Sequence, residues 1–309
     1  MRAAVVDIGT NSTRLLVADV DQRAGSLVEL HRESRVTRLG DRVDEDGTLS
    51  EEAIGRVFST LAVYRATIDR FGCDANLAVL TSAARDASNG VELTERVRSE
   101  FALDARILSG DEEAQLTFLG AMSEHSRSPT ETTVVVDIGG GSTEFIIGAN
   151  HTASFHVSVQ AGVLRMTERH IRSDPPAPSE LQALAAETRS VFLAGLPAEQ
   201  CARVTRGIAV AGTATSAAAI DQELDPYDPD RVHGYPLLLA TVELLIARLA
   251  DMTEAQRRDV VGLHPDRAPT IVAGMVLLDE AMGAFGLDQI EVSEHDILRG
   301  GALRLAGIN

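Results

Sequence analysis

One phrase occurs twice in this chain. Val5-Val6-Asp7-Ile8-Gly9-Thr10-Asn11-Ser12-Thr13 returns as Val135-Val136-Asp137-Ile138-Gly139-Gly140-Gly141-Ser142-Thr143, 130 positions on (137 − 7), with Val-Val-Asp-Ile-Gly and Ser-Thr in one register. In each copy an apolar run that reads as a buried strand ends in Asp. Gly and small hydroxyl residues follow, then a second apolar run, Leu15-Leu16-Val17 or Phe145-Ile146-Ile147. The pattern predicts a strand-turn-strand hairpin with an Asp at its mouth. Glycines let the backbone come close to a ligand, and successive N–H groups beside Ser and Thr hydroxyls form an anion-holding concavity. An Asp beside such a loop is explained by a cation lying between carboxylate and phosphate. One copy is compatible with an ordinary Gly- and Ser-rich turn. Two copies in register read as a repeated working part.

At 309 residues the chain is long enough for two domains, each with a core, and the repeat favours two. The formal charge is −18, and all 28 basic residues are Arg. The absence of Lys removes Walker A loops, kinase lysines and Schiff-base chemistry. Such a surface repels nucleic acid, so an anionic substrate needs clustered arginines or divalent cations. Cys73 and Cys201 stand alone, which indicates neither a disulfide framework nor a thiolate zinc site and points to a reducing cytosol. The N-terminus runs straight into a strand, and no apolar stretch has the length of a membrane span. The expected protein is soluble, cytoplasmic and without a membrane partner.

Along the chain, Ser26–Val36 reads as a third strand. A helix capped by Ser50 carries Ile54, Val57, Phe58, Leu61, Tyr64 and Ile68 at helical spacing as far as Phe71. Leu77–Leu80 is a short buried strand delivering Thr81-Ser82-Ala83-Ala84-Arg85 at its carboxyl end, where open α/β sheets bind ligands. Arg85 there suits phosphate, since a guanidinium holds two oxygens at once. A helix at about 91–101 and a strand at 105–108 lead to Ser109-Gly110-Asp111-Glu112-Glu113-Ala114, which opens another helix. Asp111 and Glu112 fit the helix dipole, whereas Glu113 borders the buried face. The polar stretch Ser123–Glu131 marks a boundary between domains 1–125 and 126–309, with the closing helix from about 297 a candidate to pack back on the first. The second half repeats the strand order, then places helices at 162–171 and 178–193, a strand feeding a Gly212-Thr213 turn, apolar helices at 237–249 and 268–285, a strand at 289–292 and a closing helix at 297–305. Arg267 and Arg299 are candidate anion contacts. No spacing among the histidines forms a metal triad, and His233, His264 and His295 read as structural.

Two halves, each presenting a phosphate loop to a shared cleft, resemble the actin, hexokinase and heat-shock ATPase superfamily. The expected fold is therefore α/β, two ribonuclease-H-like domains with an interdomain cleft. Within that superfamily the chain resembles the exopolyphosphatase and guanosine pentaphosphate phosphatase (Ppx/GppA) family. The carrying residues are Asp7-Ile8-Gly9-Thr10-Asn11-Ser12, Thr81–Arg85, Ser109–Ala114, Asp137–Glu144, Ala211-Gly212-Thr213 and Arg267-Ala268-Pro269. Two departures stand out: Leu298-Arg299-Gly300-Gly301 lacks the acidic residue that the family has before the final Gly, and the helical C-terminal region of longer members has no counterpart before Asn309.

The resemblance implies roles residue by residue. Glu113 falls on the catalytic Glu and Glu144 on a second active-site Glu. Asp7, Asp137 and Glu144 fall on the Mg²⁺ site, with a monovalent cation such as K⁺ as a candidate activator. Thr10, Asn11, Ser12, Thr13, Gly139, Gly140, Gly141, Ser142 and Thr143 become phosphate loops, Arg85 and Arg267 phosphate-binding arginines, and Gly212 and Thr213 support for distal phosphates or a nucleotide. The implied activity is removal of the terminal phosphate of inorganic polyphosphate by a homodimer. Hydrolysis of guanosine pentaphosphate (pppGpp) or another nucleoside polyphosphate is the rival, and a nucleotide-gated binding module without catalysis is the reading from another class.

Overall fold

The computed structural model describes residues 1–125 and 131–308, so positions 126–130 of the expected interdomain stretch lie outside the described residues. The chain divides into two compact units: Met1–His125 together with the segment from His295 on, and the intervening stretch up to Glu294.

The first unit is built on β1 (Arg2–Ile8), β2 (Ser12–Asp21), β3 (Ser26–Val36), β4 (Ala75–Leu80) and β5 (Ala105–Ile107), ordered β3-β2-β1-β4-β5. The first three strands form an antiparallel meander, and β1, β4 and β5 run parallel. β1 is central and buried on both faces, which is why its sequence is continuously apolar up to Asp7. The long helix Glu51–Phe71 begins where Ser50 accepts from the Ala53 N–H and ends at Gly72 in the left-handed region, φ 62°. Its Ile54, Val57, Leu61, Tyr64 and Ile68 pack on one sheet face with Val6, Ile8 and Leu15. The other face is covered by the helix Gly110–Met122 and by the closing helix Ile297–Leu305, whose Leu298, Ala302 and Leu303 meet Ala3, Val5 and Leu16.

Those two helices touch backbone to backbone. A Cβ at Gly120 would lie 1.9 Å from the Asp296 carbonyl oxygen, and one at Gly300 would lie 1.8 Å from that of Leu116. Neither obstacle is a side chain that can swing aside. Gly120→Ala is therefore expected to lower stability by about 1–3 kcal/mol, as overpacking of a tight contact does, seen as a drop in the melting temperature of several degrees. A melting curve unchanged within a degree would remove this contact from the account.

In the second unit β6 (Thr133–Ile138), β7 (Thr143–Ala149), β8 (Thr152–Val159), β9 (Arg206–Val210), β10 (Tyr235–Leu238) and β11 (Gln289–Val292) form one sheet ordered β8-β7-β6-β9-β11-β10. Strands β8 to β11 in that order repeat the pattern of the first sheet, and β10 adds an antiparallel edge strand. The order 3-2-1-4-5 with an antiparallel second strand is ribonuclease-H-like, and the fold is that of the actin, hexokinase and heat-shock ATPase superfamily. Phe145 anchors the core, with its ring edge-on to Phe192 at 4.8 Å.

Two local expectations are corrected. The apolar run expected as a helix over 237–249 gives its first two residues to β10, and the helix starts at Leu239. A short apolar run carries no period that separates strand from helix. The Gly212-Thr213 turn is not a turn. Ala211, at φ 63°, makes the corner alone, and Gly212 and Thr213 stand in the first turn of the helix Ala211–Asp221.

Candidate active site

Both copies of the repeated phrase build the same loop. The Gly9 N–H donates to Ser12 O at 3.0 Å and the Gly139 N–H to Ser142 O at 3.0 Å, so each loop is a tight turn closed at its glycine. Among the described residues, the N–H groups of Thr10 and Asn11 in one loop, and of Gly140 and Gly141 in the other, meet no carbonyl. Unmet N–H groups clustered in a turn make an anion nest.

The hydroxyls around these loops are committed to the protein. Thr10 Oγ1 pairs with Ser82 Oγ at 2.8 Å, Thr13 Oγ1 with Thr37 Oγ1 at 2.9 Å, and Thr143 Oγ1 donates to Ala161 O at 2.6 Å. Thr13 and Thr143 are fully buried. Their side chains fasten the hairpin, a correction to the expectation that they contact phosphate. Ser142 Oγ donates its single proton to Glu144 Oε1 at 2.5 Å, so toward a ligand its oxygen is an acceptor and its N–H the useful group.

The copies diverge one residue after Thr13 and Thr143. In the first, Arg14 lies opposite Asp7 across β1 and β2. Its Nε and Nη2 donate to Asp7 Oδ2 at 2.9 and 2.6 Å, and its Nη1 to Asp296. Asp296, which also caps the closing helix through the Leu298 N–H, and Asp7 are both nearly inaccessible. Burial pushes the Asp7 carboxyl up from its ordinary range, Arg14 pulls it down, and nearby Asp296 pushes it up. Oδ1 of Asp7 is buried and has no hydrogen-bond partner. Sequence reasoning missed this cluster, because Asp296 comes from the far end of the chain, 282 residues from Arg14.

In the second copy Glu144 stands where Arg14 does, opposite Asp137 across β6 and β7. Two carboxylates side by side across paired strands offer oxygens to a hard cation. The donor set of Asp137 and Glu144 fits Mg²⁺. That of Asp7 fits it less well, since Oδ2 is given to Arg14.

The Arg85–Glu113 pair completes the first unit's polar groups. The capping box of Ser109 and Glu112 starts the helix, holding Glu112 below the usual carboxylate range through hydrogen bonds from the Ser109 backbone and hydroxyl. That fixes the next residue, Glu113, toward the interior. Arg85 Nη1 donates to Glu113 Oε2 at 2.8 Å and to Leu108 O at 3.1 Å. Burial raises the Glu113 carboxyl above its ordinary range; Arg85 opposes the rise, and Asp7 and Asp86 add to it. The result is a carboxylate more basic than one in water, held in a fixed direction by a guanidinium.

In the second unit Arg267, at the end of the 3₁₀ turn Pro265–Arg267, lies flat on Gly212: a Cβ there would fall 1.4 Å from its Nη1. Only glycine permits that approach. Thr213 is buried, and its side chain packs on Gly274. Arg299 is corrected from an anion contact to a structural group. It is buried, donates to Ser123 Oγ at 2.7 Å and Glu124 Oε1 at 2.6 Å, and so ties down the end of the Glu113 helix.

Comparison with known proteins places this geometry. Residues 16–304 match the Ppx/GppA phosphatase family. Exopolyphosphatase 2 of Mycobacterium tuberculosis is 38% identical over 321 residues, covering 99% of each chain. The bifunctional 3-dehydroquinate synthase/phosphatase of Fusobacterium nucleatum is 30% identical over 308 residues, which span 97% of this chain and 46% of that protein. Among solved structures, the Ppx/GppA family member of Aquifex aeolicus matches with a TM-score of 0.83 at 28% identity over 99% of this chain and 97% of its own. An exopolyphosphatase from Cytophaga hutchinsonii matches with a TM-score of 0.89 at 26% identity over 100% and 99%. With the two anion-nest loops, the buried Glu113 and a match along nearly its whole length, the chain belongs to the Ppx/GppA phosphatase family, a family of phosphoanhydride hydrolases.

Proposed function

We propose that this enzyme is an exopolyphosphatase that hydrolyses the terminal phosphoanhydride of inorganic polyphosphate with Mg²⁺ and releases orthophosphate. The observation that carries this reading is the buried Glu113, more basic than an ordinary carboxylate and oriented by Arg85. A water hydrogen-bonded to Glu113 gives up its proton to that carboxylate as its oxygen attacks the terminal phosphorus. The bridging P–O bond breaks, and a polymer one phosphate shorter leaves. The N–H groups of the loops at Thr10 and Gly140 hold phosphate oxygens without a moving part. Arg85 serves twice, orienting Glu113 and offering its remaining donors to the phosphate chain. Asp137 and Glu144 would hold Mg²⁺, which when bound neutralises phosphate charge.

Two further points favour polyphosphate over a nucleoside polyphosphate. The relative with 38% identity along its whole length is named an exopolyphosphatase. In addition, the Arg267 guanidinium lies directly on Gly212, in the region where the rival reading needs a nucleotide pocket. The test is phosphate release from medium-length polyphosphate and from pppGpp, side by side, with and without Mg²⁺, using Glu113→Gln as the blank. Mg²⁺-dependent release from polyphosphate that exceeds release from pppGpp is expected. The opposite order would make this a pppGpp phosphohydrolase, and release from neither would overturn the hydrolase assignment for both substrates.

A further inference from the structure

We propose that Ser158 is a positioning residue for Glu144: its hydroxyl holds Oε1 and fixes the rotation of a carboxylate that serves a divalent cation. This rests on the reading of Asp137 and Glu144 as the cation's carboxylates. The register puts Asp137, Glu144 and Ser158 in one row across β6, β7 and β8, each directly opposite the next and therefore on the same sheet face. Ser158 Oγ donates to Glu144 Oε1 at 2.7 Å, and Ser142 Oγ donates to the same oxygen at 2.5 Å. Two hydroxyl protons on one carboxylate oxygen, both charge-assisted, fix the rotation of the group.

The two serines differ in what holds them. Ser142 belongs to the glycine loop and is held by that turn alone. Ser158 stands on a strand paired along its length with β7, and a carboxylate supported from a strand keeps its direction better than one supported from a loop alone. The first unit supplies an internal comparison. The same row there is Asp7, Arg14, Ser34, and among the described residues Ser34 makes no hydrogen bond to Arg14. The serine is thus engaged only in the copy where its neighbour is a carboxylate.

Removing a hydrogen-bond partner behind a metal ligand weakens metal affinity or activity by about 10–100-fold. Ser158→Ala is therefore expected to weaken Mn²⁺ binding, titrated by electron paramagnetic resonance, by about 10-fold. kcat on polyphosphate falls by a similar factor at subsaturating metal, while KM for the polymer and the metal-free melting temperature stay put. Ser158→Thr, which keeps the hydroxyl and suits a strand, restores most of the affinity. Mn²⁺ affinity unchanged in Ser158→Ala overturns the proposal. So does an equal loss in both variants, since that marks a packing role for the side chain rather than a hydroxyl role. A wild-type protein that releases no phosphate from polyphosphate counts against the exopolyphosphatase reading alone, and the Mn²⁺ titration still decides on Ser158.

Discussion

Glu113→Gln is expected to lower kcat on polyphosphate by about 10²–10⁴-fold, the range for removing a general base, with substrate affinity little changed. The amide keeps the side chain's shape and one oxygen for Arg85, but it takes no proton. In the wild-type enzyme the reactive form is the ionised carboxylate. Burial raises the Glu113 carboxyl, so the acid limb of the rate profile should fall off at a pH above the ordinary carboxylate range. Arg85 opposes that rise, and Arg85→Ala should move the acid limb higher still. Phosphate release in single-turnover mixing, followed across pH for the three proteins, checks both statements. A Glu113→Gln variant with near wild-type turnover would remove Glu113 from the chemistry.

The same group makes a statement about stability. A carboxyl whose folded-state value is raised binds its proton more tightly in the folded chain than in the unfolded one. Its favourable contribution is fully present below the unfolded value and is lost as pH rises through the folded one. At neutral pH the ionised Glu113 is therefore a destabilising element retained for reactivity. Glu113→Gln should melt above wild type at neutral pH, and the gap should close as acid protonates the wild-type carboxyl. Higher stability together with lost turnover separates a catalytic carboxylate from one that merely holds the fold, whose removal lowers both.

The site was legible in the sequence where the chemistry is local. Asp-x-Gly followed by small residues between two apolar runs specifies a strand, a turn and a strand, and both loops have that form. The Ser109–Glu112 box fixes a helix start three residues wide, so Glu113 is placed by its immediate neighbours. What was hidden depends on pairs far apart. Arg14 and Asp296 are 282 residues from one another, and nothing in either neighbourhood announces that they meet. Arg299 reads as an anion contact until the end of the Glu113 helix is seen to engage it through Ser123 and Glu124. The hydroxyls misled for a related reason. Thr13 and Thr143 stand at the starts of strands inside a sheet, second in β2 and first in β7, and whether a strand residue faces the loop or the core is set by register, which composition does not show.

Glu144→Gln is expected to abolish the stabilisation that Mg²⁺ gives the folded protein and to cut kcat by at least the roughly 10–100-fold seen when an outer partner of a metal ligand is removed. A cation that binds only the folded state raises stability by about 2.7 kcal/mol at 100 times its dissociation constant, so the wild-type melting temperature should climb with Mg²⁺. The register of β6 and β7 sets Glu144 beside Asp137, and the amide keeps an oxygen for Ser142 and Ser158 while removing one of two neighbouring negative charges. Without Mg²⁺ the variant should therefore melt no lower than wild type, with a flat Mg²⁺ response. Asp7→Asn is the control, because the first copy has already neutralised its aspartate with Arg14. It should keep the Mg²⁺-dependent rise in melting temperature, whatever it does to the baseline. If Asp7→Asn flattens the response and Glu144→Gln preserves it, the cation belongs to the first copy. The substitution of Glu144 for Arg14 at equivalent positions would then need another explanation.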